Sequence, residues 1–104
     1  MEKTGDDVMS GHREIRVTIV AEEEFTEIYN YIADRNSISV AEKIKRKVFR
    51  DIMLLSSFPN IGQVIRGNYR RLVVENFSIF YLVQDEKIII AHILDGRQSL
   101  KRFN

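Results

Sequence analysis

The chain contains no cysteine. Disulfide staples and thiolate metal sites are therefore excluded. Histidine is almost as scarce. His12 and His92 stand far apart with no ligand spacing, so the sequence points to no metal centre and no cofactor. No apolar run reaches the roughly 18 residues that a membrane-spanning helix requires. The stretch from Met1 to His12 carries acids and glycines instead of a cationic and then apolar leader. Export is not indicated, and the expectation is a cytoplasmic protein with no membrane partner. Repeats, low-complexity tracts and interdomain linkers are also missing.

What is present fits one domain. The 104 residues, 44% hydrophobic and 30% charged, suffice for a single core. Residues 1–12 lack any period and are expected to be a disordered leader, with Met9 an alternative start; residues 13–104 form the domain. The formal net charge is +1, but its distribution is uneven: residues up to Ile65 sum to −2 and those from Arg66 onward to +3. A basic bias of that size suits phosphate contact and suits a plain solvated surface equally well.

Periodicity orders the elements. Ile15, Val17 and Ile19 alternate with Arg16 and Thr18, predicting a half-buried strand over 14–20. Ala21, Phe25, Ile28 and Ile32 recur at helical spacing, and Glu22-Glu23-Glu24 place negative charge where a helix N-terminus favours it. This predicts a helix over 21–34. Ser39-Val40-Ala41-Glu42 fits a capping box for a second helix, whose apolar stripe is Ala41, Ile44, Val48, Ile52 and Leu55. Its Lys43, Arg46, Lys47 and Arg50 read as a solvated face. The residue before Pro59 is pushed out of the helical region, so this helix should end near Ser56. The short link between the helices favours an antiparallel hairpin.

Three β-rich runs follow, Leu72-Val73-Val74, Phe77 to Val83 and Ile88 to Leu94, separated by Glu75-Asn76 and Gln84-Asp85-Glu86-Lys87. Short runs joined by turn residues predict an antiparallel meander. The fold class is α+β: an N-terminal strand, an antiparallel helix hairpin covering one sheet face, then a three-stranded antiparallel meander. Phe58 and Ile61 are expected to anchor the loop between hairpin and sheet, with Pro59 fixing its entry.

The Pro59-x-x-Gly62 loop, the Arg70-Arg71-Leu72 start, the Phe77-Ser78-Ile79-Phe80-Tyr81 strand and the Asp95-Gly96-Arg97 ending occur in this order. Together they resemble the RelE/ParE superfamily of toxins, over roughly Arg16 to Phe103. The resemblance implies the toxin half of a type II toxin–antitoxin pair, a plasmid-stabilisation and growth-arrest module neutralised by a small antitoxin. Within that superfamily, RelE-like members cut messenger RNA on the ribosome with arginines and lysines and without a metal. ParE-like members keep the fold and act on DNA gyrase.

Residue by residue, Arg71 and Arg97 fall where the nucleases place cations, and these two are the catalytic candidates if the chain is an endoribonuclease. Ser78 stands where nucleases carry an arginine, and Phe103 where several carry a tyrosine. Phenylalanine stacks but moves no proton. The resemblance therefore leans towards the ParE-like, non-nuclease branch, with a ribosome-dependent mRNA interferase as the alternative. A further alternative is a non-toxic interaction module of the same fold. Arg70, Lys101, Arg102 and Phe103 are the candidates for binding the target or RNA, since an aromatic flanked by cations both stacks and pairs.

Adjacent strand residues Arg70 and Arg71 must point to opposite faces, one at the helix-covered margin and one free for a partner. By the same alternation His92 shares a face with Ile88, Ile90 and Leu94, as a partly buried core residue without a nearby carboxylate in sequence. Tyr81 is expected in the core, its hydroxyl reaching a surface partner.

Overall fold

The computed structural model describes residues 12–96. The chain runs β1 (Glu14–Val17), α1 (Ile19–Arg35), α2 (Ile38–Leu54), β2 (Gln63–Arg66), β3 (Tyr69–Val74), β4 (Phe77–Val83) and β5 (Lys87–Asp95). The strands form one five-stranded sheet in the order β1-β5-β4-β3-β2. The strand, helix hairpin and antiparallel meander are as the sequence predicts, with two additions. A fourth antiparallel strand, β2, precedes the meander and pairs with β3. The first strand closes the sheet on its far side by pairing parallel to β5, with Ile15 opposite Ile88 and Val17 opposite Ile90.

The first strand is shorter than its alternation suggests. At Thr18 the chain turns into α1: the threonine side chain accepts the Ala21 amide at 3.1 Å and its own amide donates to the Ile90 carbonyl at 3.1 Å. A residue that caps a helix cannot also extend a strand. Ile19 therefore opens the helix and is 72% exposed rather than inward-facing.

The second helix is capped two residues earlier than the capping-box pattern places it. Ser37, not Ser39, accepts the Val40 amide, at 3.1 Å. Glu42, released from that box, receives the Tyr29 hydroxyl from α1 and so ties the two helices together. Beyond Leu54 the chain leaves in tight turns, with the Ser57 and Phe58 amides both returning to the Leu54 carbonyl.

One apolar cluster lies between the hairpin and the sheet. Ala21, Phe25, Ile28 and Ile32 come from α1; Ala41, Val48 and Ile52 from α2, with Leu55 just past its end; Ile79, Tyr81, Ile88, Ile90 and Ile93 come from the sheet. Phe25 meets Phe49 edge-on across the hairpin, with ring centroids 5.2 Å apart. The cationic residues of α2 stay at the surface, where Lys47 reaches Glu75 at 3.6 Å and Arg50 reaches Asp51 at 3.6 Å.

A bulge in β5 decides which residues reach that core. Phe80 pairs with His92 but Tyr81 pairs with Ile90, leaving Ala91 as an extra residue. An inserted residue inverts the facing of everything beyond it. Ile88, Ile90 and Ile93 thus all face the helices. His92 faces the other way with Ile89 and Leu94, which corrects the simple alternation.

Candidate functional site

Two constellations surround the sheet, one on each face. The first explains the Pro59-x-x-Gly62 motif. Tyr81, fully buried, sends its hydroxyl under the loop, where it donates to the Pro59 carbonyl at 2.7 Å and accepts the Gly62 amide at 2.9 Å. Arg70, opposite Tyr81 in the β3–β4 ladder, donates to the Asn60 carbonyl at 3.0 Å and the Gly62 carbonyl at 2.6 Å. Burial raises the Tyr81 hydroxyl above the ordinary phenol range, against the opposing pull of the Gly62 amide and the Arg70 charge. A methyl group at Gly62 would lie 2.5 Å from that hydroxyl and 2.9 Å from the Arg71 carbonyl, so only glycine lets the loop approach this closely.

This clamp replaces the expected anchors. Phe58 and Ile61 are 58% and 52% exposed, so they do not hold the loop. Polar bonds to the backbone do so instead, leaving both apolar side chains exposed, as are Met53, Leu54 and Val64. The Tyr81 hydroxyl is correspondingly spent inside the fold and reaches no external partner.

The second constellation lies on the face that the helices leave uncovered. Ladder pairing sets Arg71, Phe80 and His92 side by side across β3, β4 and β5. Tyr69, two residues before Arg71, stacks on Phe80 with centroids 5.9 Å apart and planes 20° from parallel. Arg66 pairs with Tyr69 on the same face, after a bulge in the edge strand β2. His92 Nδ1 lies 3.1 Å from a carboxylate oxygen of Glu24, and the other Glu24 oxygen accepts the Ile93 amide at 3.0 Å. Glu24 thus satisfies the edge of β5 where β1 has already ended. Burial, with the Glu24 charge second, raises the Tyr69 hydroxyl.

Of the sequence candidates, Arg70 and Arg71 do point to opposite faces: Arg70 is engaged by the loop and Arg71 is exposed. Arg97, Lys101, Arg102 and Phe103 lie outside the described residues. Ser78 is buried, paired with Val73 and Leu94. Sequence reasoning missed the role of Glu24 because it lies 68 residues from His92. It also missed Arg66, Tyr69 and Phe80. The only sequence signal for them is the alternation Tyr69-x-Arg71, which becomes informative once the ladder partners are known.

A shallow groove of about 340 Å³ runs between the helices, lined by Phe25, Thr26, Tyr29, Glu42 and Lys45. Among the described residues no three His, Asp or Glu side chains gather as a metal site, and no helix is long and apolar enough to cross a membrane.

Comparison with known proteins gives a consistent picture. Residues 15–100 match the family described as the ParE toxin of the type II toxin–antitoxin system parDE. The chain is 26% identical over 76 residues to Toxin ParE3 of Caulobacter vibrioides, covering 70% of this chain and 76% of that protein. Its fold is similar to a solved structure of the chromosomal ParDE toxin–antitoxin system from P. aeruginosa. That match has a TM-score of 0.72 at 21% identity and covers 83% of this chain and 98% of that one.

Proposed function

The chain belongs to the ParE toxin family of type II toxin–antitoxin systems, and from that premise we propose that it arrests growth by acting on DNA gyrase rather than by cutting RNA. Family membership makes it a toxin whose partner is an antitoxin; the target and its contact residues are the inference. The observation that carries the non-nuclease reading is Ser78. It occupies the strand position at which the related nucleases present an arginine, and it is buried between Val73 and Leu94. RNA cleavage needs several cations to offset charge growing on the phosphate, together with a proton donor and acceptor. Arg70 is committed to loop carbonyls, and the Glu24 carboxylate is shared between the Ile93 amide and His92. On the face that Ser78 shares with Phe80, the described residues bring two exposed arginines, Arg66 and Arg71, but none at the Ser78 position.

Residues 13–104 act in this reading as one toxin domain in the cytoplasm. The antitoxin covers the edge of β2, since an exposed strand edge accepts an added strand, and lies along the groove beside the helix hairpin. Lys101, Arg102 and Phe103 form the contact with the target, the aromatic stacking while its neighbours pair with anions.

The test is induced expression of the chain, read two ways. Loss of gyrase supercoiling with intact messenger RNA is the expected result, reversed by the cognate antitoxin. Cleaved messenger RNA with normal supercoiling would replace gyrase by the ribosome and restore Arg71 and Arg97 as catalytic. Removing Lys101 to Asn104 should abolish toxicity while leaving antitoxin binding intact.

A further inference from the structure

The uncovered sheet face carries a second feature to which the proposed function assigns no role. We propose that the stacked Tyr69–Phe80 pair, flanked by Arg66 and Arg71, is a binding platform for single-stranded polynucleotide. A base would stack on the aromatic pair and the backbone phosphates would pair with the two arginines. The proposal holds whichever enzyme is the toxin's target.

Four observations support it. The rings are already stacked, 5.9 Å apart and 20° from parallel, and both are partly exposed. A flat aromatic surface of this kind accepts any base, because every base has a π-face. Secondly, the two arginines bracket the rings: Arg66 stands opposite Tyr69 in the ladder, and Arg71 opposite Phe80. Strand geometry separates their Cα atoms by about 8 Å, within reach of neighbouring phosphates on one extended chain. Thirdly, among the described residues neither arginine forms an ion pair, in contrast to Arg70 on the other face, whose guanidinium is held by carbonyls. Fourthly, Glu24, the carboxylate at this margin, is held at the β5 edge by the Ile93 amide and lies against His92 Nδ1 rather than against either arginine. The Glu24 contact holds the His92 ring at the end of the same row, where its Nε2 has no partner among the described residues.

An acidic peptide fits less well. A peptide backbone needs an open strand edge or a groove to satisfy its own amides and carbonyls. In the middle of a sheet the ladder bonds are already made, so a face offers it neither. A polynucleotide carries its charge on its backbone and needs only cations and rings.

The test is fluorescence anisotropy with the full-length chain and short labelled oligonucleotides. The arms are single-stranded RNA, single-stranded DNA, the matching duplex, and a single strand with abasic sites. Arg71→Gln and Phe80→Leu are compared with the parent chain, and Arg50→Gln on the helix face is the control. Thermal melts establish that each variant is folded. The expected result is single-strand binding that weakens as salt rises and falls roughly tenfold with either sheet-face substitution, the scale of one stacked base. The abasic strand should bind the parent more weakly and be insensitive to Phe80→Leu. A preference between the RNA and DNA arms identifies the source of the strand. Equal binding of duplex and single strand, equal binding of abasic and intact strands, or indifference to Arg71→Gln would each overturn the proposal. If Phe80→Leu fails to fold, the abasic comparison with Arg71→Gln still decides it.

Discussion

The Tyr81 hydroxyl donates to the Pro59 carbonyl at 2.7 Å, joining the centre of the sheet to the loop that ends the helical half. The same oxygen accepts the Gly62 amide, so one phenol satisfies two backbone groups of a turn that has no regular structure to satisfy them. The loop motif and the strand tyrosine, 22 residues apart, are thus two halves of one fastening.

Replacing Tyr81 by phenylalanine tests that fastening. The ring still fills the core, but a buried amide and a carbonyl lose their partner. Tyr81→Phe should cost about 1–3 kcal/mol in a urea melt, the usual penalty for an orphaned buried group. It should also speed proteolysis at Asn60. An unchanged melt would mean that water takes over both bonds.

Gly62→Ala should be at least as damaging. The added methyl would meet the Tyr81 hydroxyl at 2.5 Å and the Arg71 carbonyl at 2.9 Å. Overpacking against backbone commonly costs about 1–3 kcal/mol. The double variant with Tyr81→Phe should recover part of the loss, because the phenylalanine ring removes the nearest of these atoms. Strict additivity in denaturant melts would disprove the contact.

Phe58→Ala should be nearly neutral for stability. With 58% of its surface exposed, the ring lacks the burial that makes aromatic truncation costly. A change within about 0.5 kcal/mol is expected. The substitution should instead weaken antitoxin binding if the exposed Phe58 ring lies under the partner, which a titration calorimeter would read directly.

The helix-cap assignment has a paired test. Ser37→Ala should lose about 1 kcal/mol, since its side chain accepts the Val40 amide. Ser39→Ala, inside the first turn, should be neutral or slightly stabilising, because alanine is the better helix former. The reverse ranking in urea melts would restore the capping box at Ser39.

Alkaline pH should unfold the protein through its tyrosines. Burial raises the hydroxyls of Tyr81 and Tyr69, and the bond to Glu42 raises that of Tyr29, all from an ordinary value of 10.0. Each holds its proton more tightly when folded than when unfolded. Their contribution is therefore complete below about pH 10 and is lost as pH climbs through the raised folded values. Urea melts at stepped pH should show this alkaline decline, and Tyr81→Phe should reduce its slope. A slope unchanged by that substitution would assign the decline to other groups.

The amino-acid order by itself determined the helix stripes, the turns of the meander and the family. The 3.6-residue stripes at Phe25, Ile28 and Ile32 and at Val48 and Ile52 are set within single helices. The turns at Glu75-Asn76 and Gln84 to Lys87 depend only on neighbouring residues. Such signals are short-range, so they survive in a sequence read alone. Tertiary structure decided everything that depends on partners distant along the chain. The parallel pairing of β1 with β5 joins residues more than 70 positions apart, and Glu24 finds His92 only because β1 stops at Val17. The extra residue at Ala91 was invisible to alternation, because a bulge is defined by the opposing strand rather than by the bulged one. That single insertion turned His92 away from the core and into a row with Phe80 and Arg71. The uncovered face was thus fixed by ladder register, which no local pattern encodes.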